Sequence, residues 1–479
     1  MSLTLQSHVA WALIAVVSAG VLAMAVNVQV GFFALLFVLV AWWVWEHEEL
    51  SLLYFIALAP LLPMFKITQT LGTFTLIKDV LILTLFVKAF AWPLITQKLP
   101  YRRNIFLLPI ILLIGWGAVG LLMADSLTLG ILRSRDIGLY ILLYMTVLYM
   151  DFNPVIMKQR LKWLTGSAVV LLLAGVYQYF WAADSAVLRF DPVRSIWIPR
   201  ISSTFAHPTV FGEYLVLLAS GAAAFAMTSK RYRWWAIGAS VLLMPFIYFT
   251  YSRGVWLGYI AALGIIALAA ATQRLHISLK TISQWLISLM AVLMLLGLLV
   301  WFTPVGTFLR TSLDPAYASN QIRLEFLARL VGNTSNGEAL FGHGLGDISQ
   351  KIATTPDVGA SDITSGASRD VQLAKDSTLV DNQYLKTFIE LGLAGLLIYV
   401  WIYMRAIKYS WKLFKTHEMS GGKLGMGVLG LAALGFFLSF MLEGLFVDIW
   451  DVFPTNAIFW IVAAMVSAHQ EVEASIDRT

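Results

Sequence analysis

Long apolar segments recur along almost the whole chain and are separated by shorter polar connections. A helix needs about 20 apolar residues to cross the hydrocarbon core of a membrane, and most of the segments approach that length. Leu50–Met64, Ile137–Met150 and Thr455–Val466 are shorter, so twelve spans is an alternative to fourteen. The pattern predicts an all-α fold, a polytopic membrane helical bundle of about 12–14 transmembrane helices. The fourteen segments are Val9–Val26, Val28–Trp45, Leu50–Met64, Thr73–Trp92, Ile105–Met123, Ile137–Met150, Leu164–Trp181, Val210–Met227, Trp234–Thr250, Val255–Ala271, Ile282–Phe302, Leu385–Tyr403, Leu424–Phe446 and Thr455–Val466.

Lysine and arginine are concentrated in five of the connections, with an even number of predicted spans between them. Because basic loops stay on the cytoplasmic side, these connections and both termini are predicted to be cytoplasmic. No Lys or Arg precedes the first apolar segment, which we interpret as a retained helix rather than a cleaved signal peptide. The basic residues are Lys98, Arg102, Arg103, Lys158, Arg160, Lys162, Lys230, Arg231, Arg233, Arg274, Lys280, Arg405, Lys408, Lys412, Lys415 and Lys423.

The remaining connections are therefore predicted to face outward, and one of them is far larger than the rest. This segment, Thr303–Val380, contains no apolar span, and Ser319–Val331 within it has the spacing of an amphipathic helix. The chain then divides into transmembrane helices with short loops over residues 1–302, a large, partly helical extracytoplasmic loop over 303–381, and C-terminal transmembrane helices over 382–479.

Composition agrees with a membrane protein and excludes several functions. Only 13% of the residues are charged and 59% are hydrophobic, whereas soluble domains have about 25% charged residues. The absence of cysteine excludes disulfides, thiolate catalysis and zinc–sulfur sites. The net charge of +6 is explained by cytoplasmic loops and anionic lipid head groups, so no nucleic-acid partner is predicted.

Several arginines lie on the outward side, against the usual bias, next to predicted spans. Arg200 precedes one span, Arg253 lies in the short turn Tyr251–Gly254, and Arg133 and Arg135 precede the sixth span. A forked guanidinium suits a phosphate or diphosphate, so a bound anion at the outer membrane surface would explain this placement. Asp381 ends the large loop and is a candidate to accept a proton from an incoming hydroxyl.

Each of these residues also has a purely structural interpretation. Arg133 and Arg135 can extend to the membrane interface, and Arg135 can pair with Asp136. For Arg253, an internal ion pair and a ligand site are equally good interpretations. His207 has no second histidine or carboxylate at ligand spacing, so we predict no metal site.

Other polar or glycine-rich positions are expected to serve packing. Helix-to-helix hydrogen bonding is the default for Glu213, Glu390 and Glu443, and Lys78-Asp79 is interpreted as structural. The segment Phe341–Asp347 lacks the features of a phosphate loop and predicts a tight turn close to the membrane helices. Gly392 and Gly395 predict close helix packing.

Four ordered segments resemble the O-antigen ligase and polymerase superfamily of bacterial membrane glycan transferases. Their order and their predicted topology carry the resemblance, which covers about residues 195–400; the first 190 residues share only the hydropathy pattern. The segments are Arg200-Ile201-Ser202-Ser203-Thr204-Phe205 with Pro208, Tyr251-Ser252-Arg253-Gly254-Val255-Trp256-Leu257-Gly258, Gly342-His343-Gly344-Leu345-Gly346, and Asp381-Asn382-Gln383-Tyr384-Leu385 through Glu390-Leu391-Gly392-Leu393-Ala394-Gly395-Leu396.

The resemblance implies a metal-independent and cofactor-independent transfer of a glycan from a polyprenyl diphosphate carrier to an acceptor hydroxyl. It implies that Arg200 and Arg253 hold the diphosphate at the outer face of the bacterial cytoplasmic membrane. The implied partners are the lipid-linked donor, a glycan, lipid or protein acceptor, and membrane lipids. The predicted catalytic residues are Asp381, Arg253 and Arg200, and the predicted substrate-binding residues are Arg133, Arg135, Arg323, His207, Asn382, Tyr384 and His343.

Two departures from the family pattern affect this interpretation. The family has a histidine, its proposed base, where this chain has Asp381, and it often has small or amide residues where this chain has Phe211-Gly212-Glu213. An aspartate can still orient or deprotonate a sugar hydroxyl, so the reaction class is unchanged. The departure at Asp381 makes a polysaccharide polymerase or a protein glycan transferase at least as good a match as a lipopolysaccharide ligase.

Two other functional classes remain open from the sequence. A transporter of a small anion or of a lipid-linked glycan would also need charge among its helices, but we find no pair of related halves. A scaffold for an export complex would not need Arg200, Arg253 and Asp381 on one face.

Overall fold

The computed structural model describes residues 28–63, 76–102, 104–150, 154–182, 187–191, 196–205, 207–229, 231–275, 336–346, 382–416, 425–450 and 452–469. Several sequence predictions lie outside the described residues. They are the segments Val9–Val26 and Ile282–Phe302, the amphipathic helix Ser319–Val331, and the candidate site residues Arg323 and Asp381.

The described residues are mainly helical, as the apolar pattern predicts. A π-helical turn, Val87–Ala91, joins the third and fourth helices. The helices are α1 (Val28–Glu46), α2 (Glu48–Leu58), α3 (Ile77–Phe86), α4 (Trp92–Ile95), α5 (Leu107–Leu122), α6 (Leu127–Tyr149), α7 (Pro154–Trp181), α8 (Pro208–Thr228), α9 (Arg233–Phe249), α10 (Arg253–Leu275), α11 (Asn336–Phe341), α12 (Gln383–Thr416), α13 (Met426–Glu443) and α14 (Thr455–Ala468).

Every predicted apolar segment within the described residues coincides with a helix, which confirms an all-α polytopic architecture. In the part of the chain that the structure describes, four helices are long and apolar enough to cross a membrane: Pro208–Thr228, Arg253–Thr272, Gln383–Thr416 and Met426–Glu443. Shorter apolar helices, such as Leu107–Leu122 and Thr455–Ala468, accompany them.

A β-hairpin interrupts the predicted loop between the seventh and eighth segments. Strand β1 (Val187–Asp191) pairs antiparallel with β2 (Ile196–Arg200), and Val187 lies opposite Arg200. Both strands are rich in β-branched and aromatic residues, which favour extended backbone. The apolar pattern predicts only a connection here, and the hairpin adds a short strand that ends at Arg200, a predicted site residue.

The start of α6 corrects a second prediction. The helix begins at Leu127 rather than Ile137, so Arg133 and Arg135 lie inside a helix and not before a span. The apolar residues between Leu127 and Leu132 continue the helical pattern, and arginine is itself a good helix former. A prediction based on the length of the apolar run therefore placed the first residue of this segment too late in the sequence.

The described chain packs as two compact units. The first comprises the described residues of 28–102, 139–174 and 203–205, and the second comprises the described residues of 104–138, 175–202 and 207–469. In the first unit, polar contacts join the helices: Ser167 donates to the carbonyl of Ala57 at 2.8 Å, and Lys88 pairs with Glu48 at 3.2 Å. Lys78 pairs with Asp79 at 2.6 Å, which confirms the structural interpretation of these two charges.

Small residues let the helices of the second unit approach closely. Helix α8 packs against α10 and α13, and α13 also packs along α12. A cluster of alanines and aliphatic residues fills the contact, including Ala224, Ile266 and Leu431. Because lipid gives helices little hydrophobic reason to associate, such close van der Waals packing is a main source of bundle stability.

Helix α9 shows how the other face of the bundle is built. Ala236, Ser240, Leu243 and Ile247 recur at helical spacing and are buried. The face of α9 that points away from the bundle is also apolar. Its exposed large residues include Trp235, Leu242 and Met244. A helix that is apolar on both faces is typical of a membrane-embedded position rather than of a water-facing one.

Helix α12 is broken at Gly392, whose φ of 65° lies in the left-handed region. Around the break, the carbonyl oxygens accept hydrogen bonds from other segments. The backbone N–H of His343 donates to the Ile389 carbonyl at 2.8 Å, and that of Gly344 donates to the Glu390 carbonyl at 3.2 Å. The indole of Trp116 donates to the Leu391 carbonyl at 2.8 Å. These bonds confirm that the glycine-rich segment is a turn packed on the helices. Gly392 does allow a close approach, as predicted, because a Cβ there would collide with the backbone of Leu340 and Gly342, but the approach occurs at a break in the helix.

The contact between α12 and α13 generates a stability prediction. A Cβ on Gly430 would lie 2.6 Å from the backbone nitrogen of Phe414 and 2.9 Å from the carbonyl oxygen of Ser410. Backbone atoms cannot rotate away, so we expect Gly430→Ala to destabilise the fold by about 1–3 kcal/mol. Thermal unfolding in detergent measures the loss.

Gly264→Ala is the matched control, because a Cβ on Gly264 has no atom within 4 Å outside its own helix turn. Alanine in place of a helical glycine is expected to be neutral or slightly stabilising there. Equal melting temperatures for the two variants would contradict the close packing at Gly430.

Candidate functional site

The residues after strand β2 dock on the turn between α9 and α10. The guanidinium Nε of Arg200 donates to the Thr250 carbonyl at 2.8 Å, and the Ile201 N–H donates to the Phe249 carbonyl at 3.0 Å. The next residue, Ser202, is held by Gln178 of α7, whose side-chain oxygen accepts from the Ser202 N–H at 2.8 Å. The structure therefore brings the Arg200 segment against the turn that leads into Arg253.

That turn, Thr250–Ser252, is tightly organised, and Arg253 is the first residue of α10 after it. The Thr250 hydroxyl donates to the Ile247 carbonyl at 2.7 Å and accepts from the Ser252 N–H at 3.3 Å. The Trp256 indole also donates to the Ile247 carbonyl, at 3.0 Å. These bonds fix the start of α10 relative to the end of α9, and hence the backbone that carries Arg253.

Close packing joins this turn to the segment after α13. A Cβ on Gly254 would lie 2.9 Å from the Cβ of Phe446, so glycine is needed for this contact. On the other side, Gly212 of α8 has no room for a side chain against Val255. The first turn of α10 is thus wedged between α8 and Phe446.

The start of α12 is anchored on the same segment. Asn382 caps the helix, since its side-chain oxygen accepts from the Leu385 N–H at 2.9 Å, and its amide donates to the Leu445 carbonyl at 2.9 Å. The Tyr384 hydroxyl donates to the Met441 carbonyl at 2.5 Å. Arg200, Arg253 and Asn382 are therefore linked through neighbouring backbone contacts, and Asp381 immediately precedes this anchored cap outside the described residues.

Arg133 lies elsewhere, in a buried ion pair. Its Nε and Nη2 both lie 2.9 Å from the Glu390 Oε2, and the other Glu390 oxygen accepts from the Gly346 N–H at 3.3 Å. This corrects the interpretation of Arg133 as a side chain that extends to the interface. It agrees with the expectation that Glu390 bonds between helices. Arg135 remains half exposed beside Asp136, at 3.4 Å.

The predicted site residues thus fall into two groups. Arg200, Arg253, Asn382 and Tyr384 are grouped around the α9–α10 turn and the end of α13. Arg133 and His343 are grouped around Glu390, which lies roughly 12 Å farther along the axis of α12 than Asn382. His343 donates its backbone N–H to the Ile389 carbonyl, and its ring Nδ1 lies 3.4 Å from the same oxygen. Its Nε2 lies 3.6 Å from a Glu338 carboxylate oxygen, so the described contacts of His343 tie the glycine-rich turn to α11 and α12.

Buried charged residues lie around the anchored end of α12, and two of them, Lys386 and Asp448, were not predicted from the sequence. Lys386 forms a buried ion pair with Asp448, and the Gln383 side-chain oxygen accepts from the Trp450 N–H at 3.0 Å. Glu213 is buried on α8, and among the described residues neither of its carboxyl oxygens receives a hydrogen bond. A lysine inside a predicted apolar span was the available signal, because such charges are retained only with a partner or a function.

His207 caps the N-terminus of α8. Its Nδ1 accepts from the Thr209 N–H at 3.3 Å, so this nitrogen is unprotonated. Desolvation of the ring, together with the charge of Arg200, lowers the pKa of His207 to about 3. The residue as a whole is exposed, which moderates the desolvation, but both causes act in the same direction. His207 is therefore neutral at ordinary pH and suits hydrogen bonding rather than charge pairing.

Comparison with known protein families gives a match that includes the segment around Arg253. Residues 238–400 match the family model described as O-antigen ligase. The matched part includes Arg253, the glycine-rich turn and Gly392, and it does not reach Arg133, Arg200 or His207. No curated protein matches the chain. The match confirms the resemblance to the O-antigen ligase and polymerase superfamily, and it supports a membrane glycan ligase or polymerase in general.

The buried ion pair generates a prediction about stability. Glu390→Gln leaves Arg133 charged and without its main partner, so we expect a loss of about 3–5 kcal/mol. Replacing both residues with methionine removes the charge as well, and most of the stability should return. Thermal unfolding of the single and double variants measures the difference.

The exposed pair offers the control for this experiment. Arg135→Met disrupts a contact that is largely solvated, and such pairs contribute about 0–1 kcal/mol. A Glu390→Gln loss no larger than that of Arg135→Met would show that the buried pair does not stabilise the fold.

His207 generates a prediction about pH. Asparagine at this position retains an acceptor at the helix N-cap but does not titrate. The folded ring stays neutral down to about pH 3, whereas an unfolded histidine is protonated below a pH of about 6.5. Unfolding therefore takes up a proton, and the native state loses stability as the pH falls from about 6.5 toward 3. We expect the melting temperature of the wild type to fall relative to that of His207→Asn between about pH 7 and pH 4.5, and parallel pH profiles would contradict the lowered pKa.

Proposed function

We propose that this chain, whose residues 238–400 carry an O-antigen ligase domain, transfers a glycan from a polyprenyl diphosphate carrier to an acceptor hydroxyl. The reaction takes place at the outer face of the bacterial cytoplasmic membrane, with both termini in the cytoplasm. The observation that carries the proposal is the contact of the Arg200 segment with the α9–α10 turn, because it joins two outward arginines that are distant in sequence.

The chemistry is a substitution at the anomeric carbon of the donor sugar. The acceptor oxygen forms a bond to this carbon while the bond from the carbon to the diphosphate oxygen breaks. The diphosphate leaves with the electron pair, still attached to its lipid, and the acceptor proton passes to a base. Negative charge therefore grows on the leaving diphosphate, and groups that bind this charge more strongly in the transition state accelerate the reaction.

Arg200 and Arg253 are proposed to bind that charge. A guanidinium stays protonated at any physiological pH and presents parallel donors that match phosphate oxygens. Arg200 uses its Nε to hold the Thr250 carbonyl, which orients its guanidinium beside the turn that leads into Arg253. A site beside the first turn of α10 also gains from the partial positive charge of a helix N-terminus.

Asp381 is proposed as the base that accepts the acceptor proton. Its neighbour Asn382 is tied to both the first turn of α12 and the Leu445 carbonyl, so the proposed base comes directly before an anchored helix start in the sequence. General-base catalysis by a positioned side chain typically contributes about 10²–10⁴-fold to the rate. His207, Tyr384 and Arg323 are proposed to contact the saccharides or the diphosphate, in keeping with the sequence analysis.

The acceptor class depends on the same carboxylate. Where the family has histidine this chain has Asp381, so a growing polysaccharide or a protein hydroxyl is as suitable an acceptor as a lipopolysaccharide core. Counting the sugars added to each acceptor distinguishes repeated polymerisation from a single ligation.

The test uses the purified chain in lipid nanodiscs with a polyprenyl diphosphate-linked glycan. We expect release of polyprenyl diphosphate together with an extended or newly attached glycan. Arg200→Ala, Arg253→Ala and Asp381→Asn should each lower the rate by about 100-fold or more, as expected for loss of a charge-assisted contact or of a base.

Arg231→Ala is the control, since Arg231 is exposed and lies in a different connection. It should transfer glycan at the wild-type rate. The assigned site would be wrong if Arg200→Ala and Arg253→Ala both remained folded and fully active.

A further inference from the structure

Tyr251 lies between Thr250, which Arg200 contacts, and Arg253, and it has an unusual backbone conformation. Its φ is 49°, in the left-handed region that glycine and asparagine adopt easily and that bulky side chains avoid. It directly follows Thr250, whose carbonyl accepts from Arg200, and lies two residues before Arg253. The strained backbone of Tyr251 therefore sets the direction of the chain between the Thr250 carbonyl, which holds Arg200, and Arg253.

Neighbouring rings maintain this conformation. The Tyr251 ring lies 5.6 Å from that of Tyr248 and 6.4 Å from that of Phe249, measured between centroids. Tyr248 is in turn stacked on Trp256, at 5.4 Å and nearly parallel. The Tyr251 N–H also donates to the Tyr248 carbonyl at 3.0 Å. Aromatic contacts of this kind add to the energy of burial and can offset the cost of the strained backbone.

We propose that Tyr251 is a positioning residue, which fixes Arg200 and Arg253 at the separation needed to bind one diphosphate. The inference rests on the proposed function, because it takes the two arginines to share a ligand. Tyr251 acts through the turn and does not itself contact the reacting atoms. A change of Tyr251 to a right-handed or extended backbone would redirect the chain, and the Thr250 carbonyl would no longer hold Arg200 beside the start of α10.

Substitutions at this position separate the backbone from the ring. Glycine and asparagine accept a positive φ but lack the aromatic ring, whereas valine is β-branched and strongly disfavours it. Phenylalanine retains the ring contacts and lacks only the hydroxyl. If the turn conformation positions the arginines, the order of diphosphate affinity follows tolerance of positive φ rather than aromatic character.

The experiment measures the dissociation constant of a short-chain prenyl diphosphate for the full chain in nanodiscs. We expect Tyr251→Val to bind about tenfold more weakly than the wild type, with Tyr251→Gly, Tyr251→Asn and Tyr251→Phe closer to the wild type than Tyr251→Val. In an Arg200→Ala background, Tyr251→Val should weaken binding much less, because the contact that it disturbs is already lost.

Gln97→Val is the matched control. Gln97 also has a positive φ, 54°, outside this turn, so the same substitution imposes a similar backbone cost without affecting the arginines. Its diphosphate affinity should equal that of the wild type. Melting temperatures of all variants identify any that fail to fold.

The outcomes distinguish this inference from the proposed function. Wild-type binding with equal losses for Tyr251→Gly and Tyr251→Val would overturn the positioning role alone. A loss for Tyr251→Gly and Tyr251→Asn with none for Tyr251→Phe would also overturn it, since the ring rather than the turn would then matter. A wild-type chain that neither binds a prenyl diphosphate nor transfers glycan would overturn both proposals.

Discussion

Broken helices in a membrane protein need replacement partners for their backbone groups, and the break at Gly392 is where this protein meets that requirement. An unpaired carbonyl in an apolar environment costs several kcal/mol, so a break persists only where other donors are supplied. Here the N–H groups of His343 and Gly344 and the indole of Trp116 supply them. The positive φ values of Gly342 and Gly392 let the two backbones approach closely enough for these bonds.

This constraint explains the charges around the break. The Gly346 N–H and the Arg133 guanidinium both bind the Glu390 carboxylate, so one side chain joins α6, the glycine-rich turn and α12. A buried ion pair contributes little net stability compared with apolar residues, but it specifies which groups meet. The pair accordingly holds Gly346, at the end of the described glycine-rich turn, against α12.

The proposed site uses a different set of contacts at the start of α12. Backbone carbonyls at Thr250 and Leu445 hold Arg200 and Asn382, and glycine at position 254 lets Phe446 approach the first turn of α10. Arg200, one of the two side chains proposed to bind the diphosphate, is thus positioned by a hydrogen bond to backbone. Such preorganisation is what electrostatic stabilisation of a leaving group requires, because donors that are already oriented need not reorganise during the reaction.

Apolar run length and loop charge were sufficient to predict the all-α polytopic architecture, because lipid imposes one simple rule on every span. The ordered motifs also predicted the superfamily, since the family match over residues 238–400 covers three of the four motif segments. Hydropathy alone did not predict the hairpin before Arg200, the true start of α6 or the break at Gly392, each of which depends on local backbone and tertiary partners. The order of residues in the sequence does not show which side chains will pair. Glu390 contacts Arg133, Lys386 contacts Asp448, and Arg200 contacts Thr250 only in the folded chain. The sequence by itself therefore determined which residues are costly in a membrane, and the tertiary structure decided which of them neutralise one another, because these ion pairs join segments that are distant in sequence.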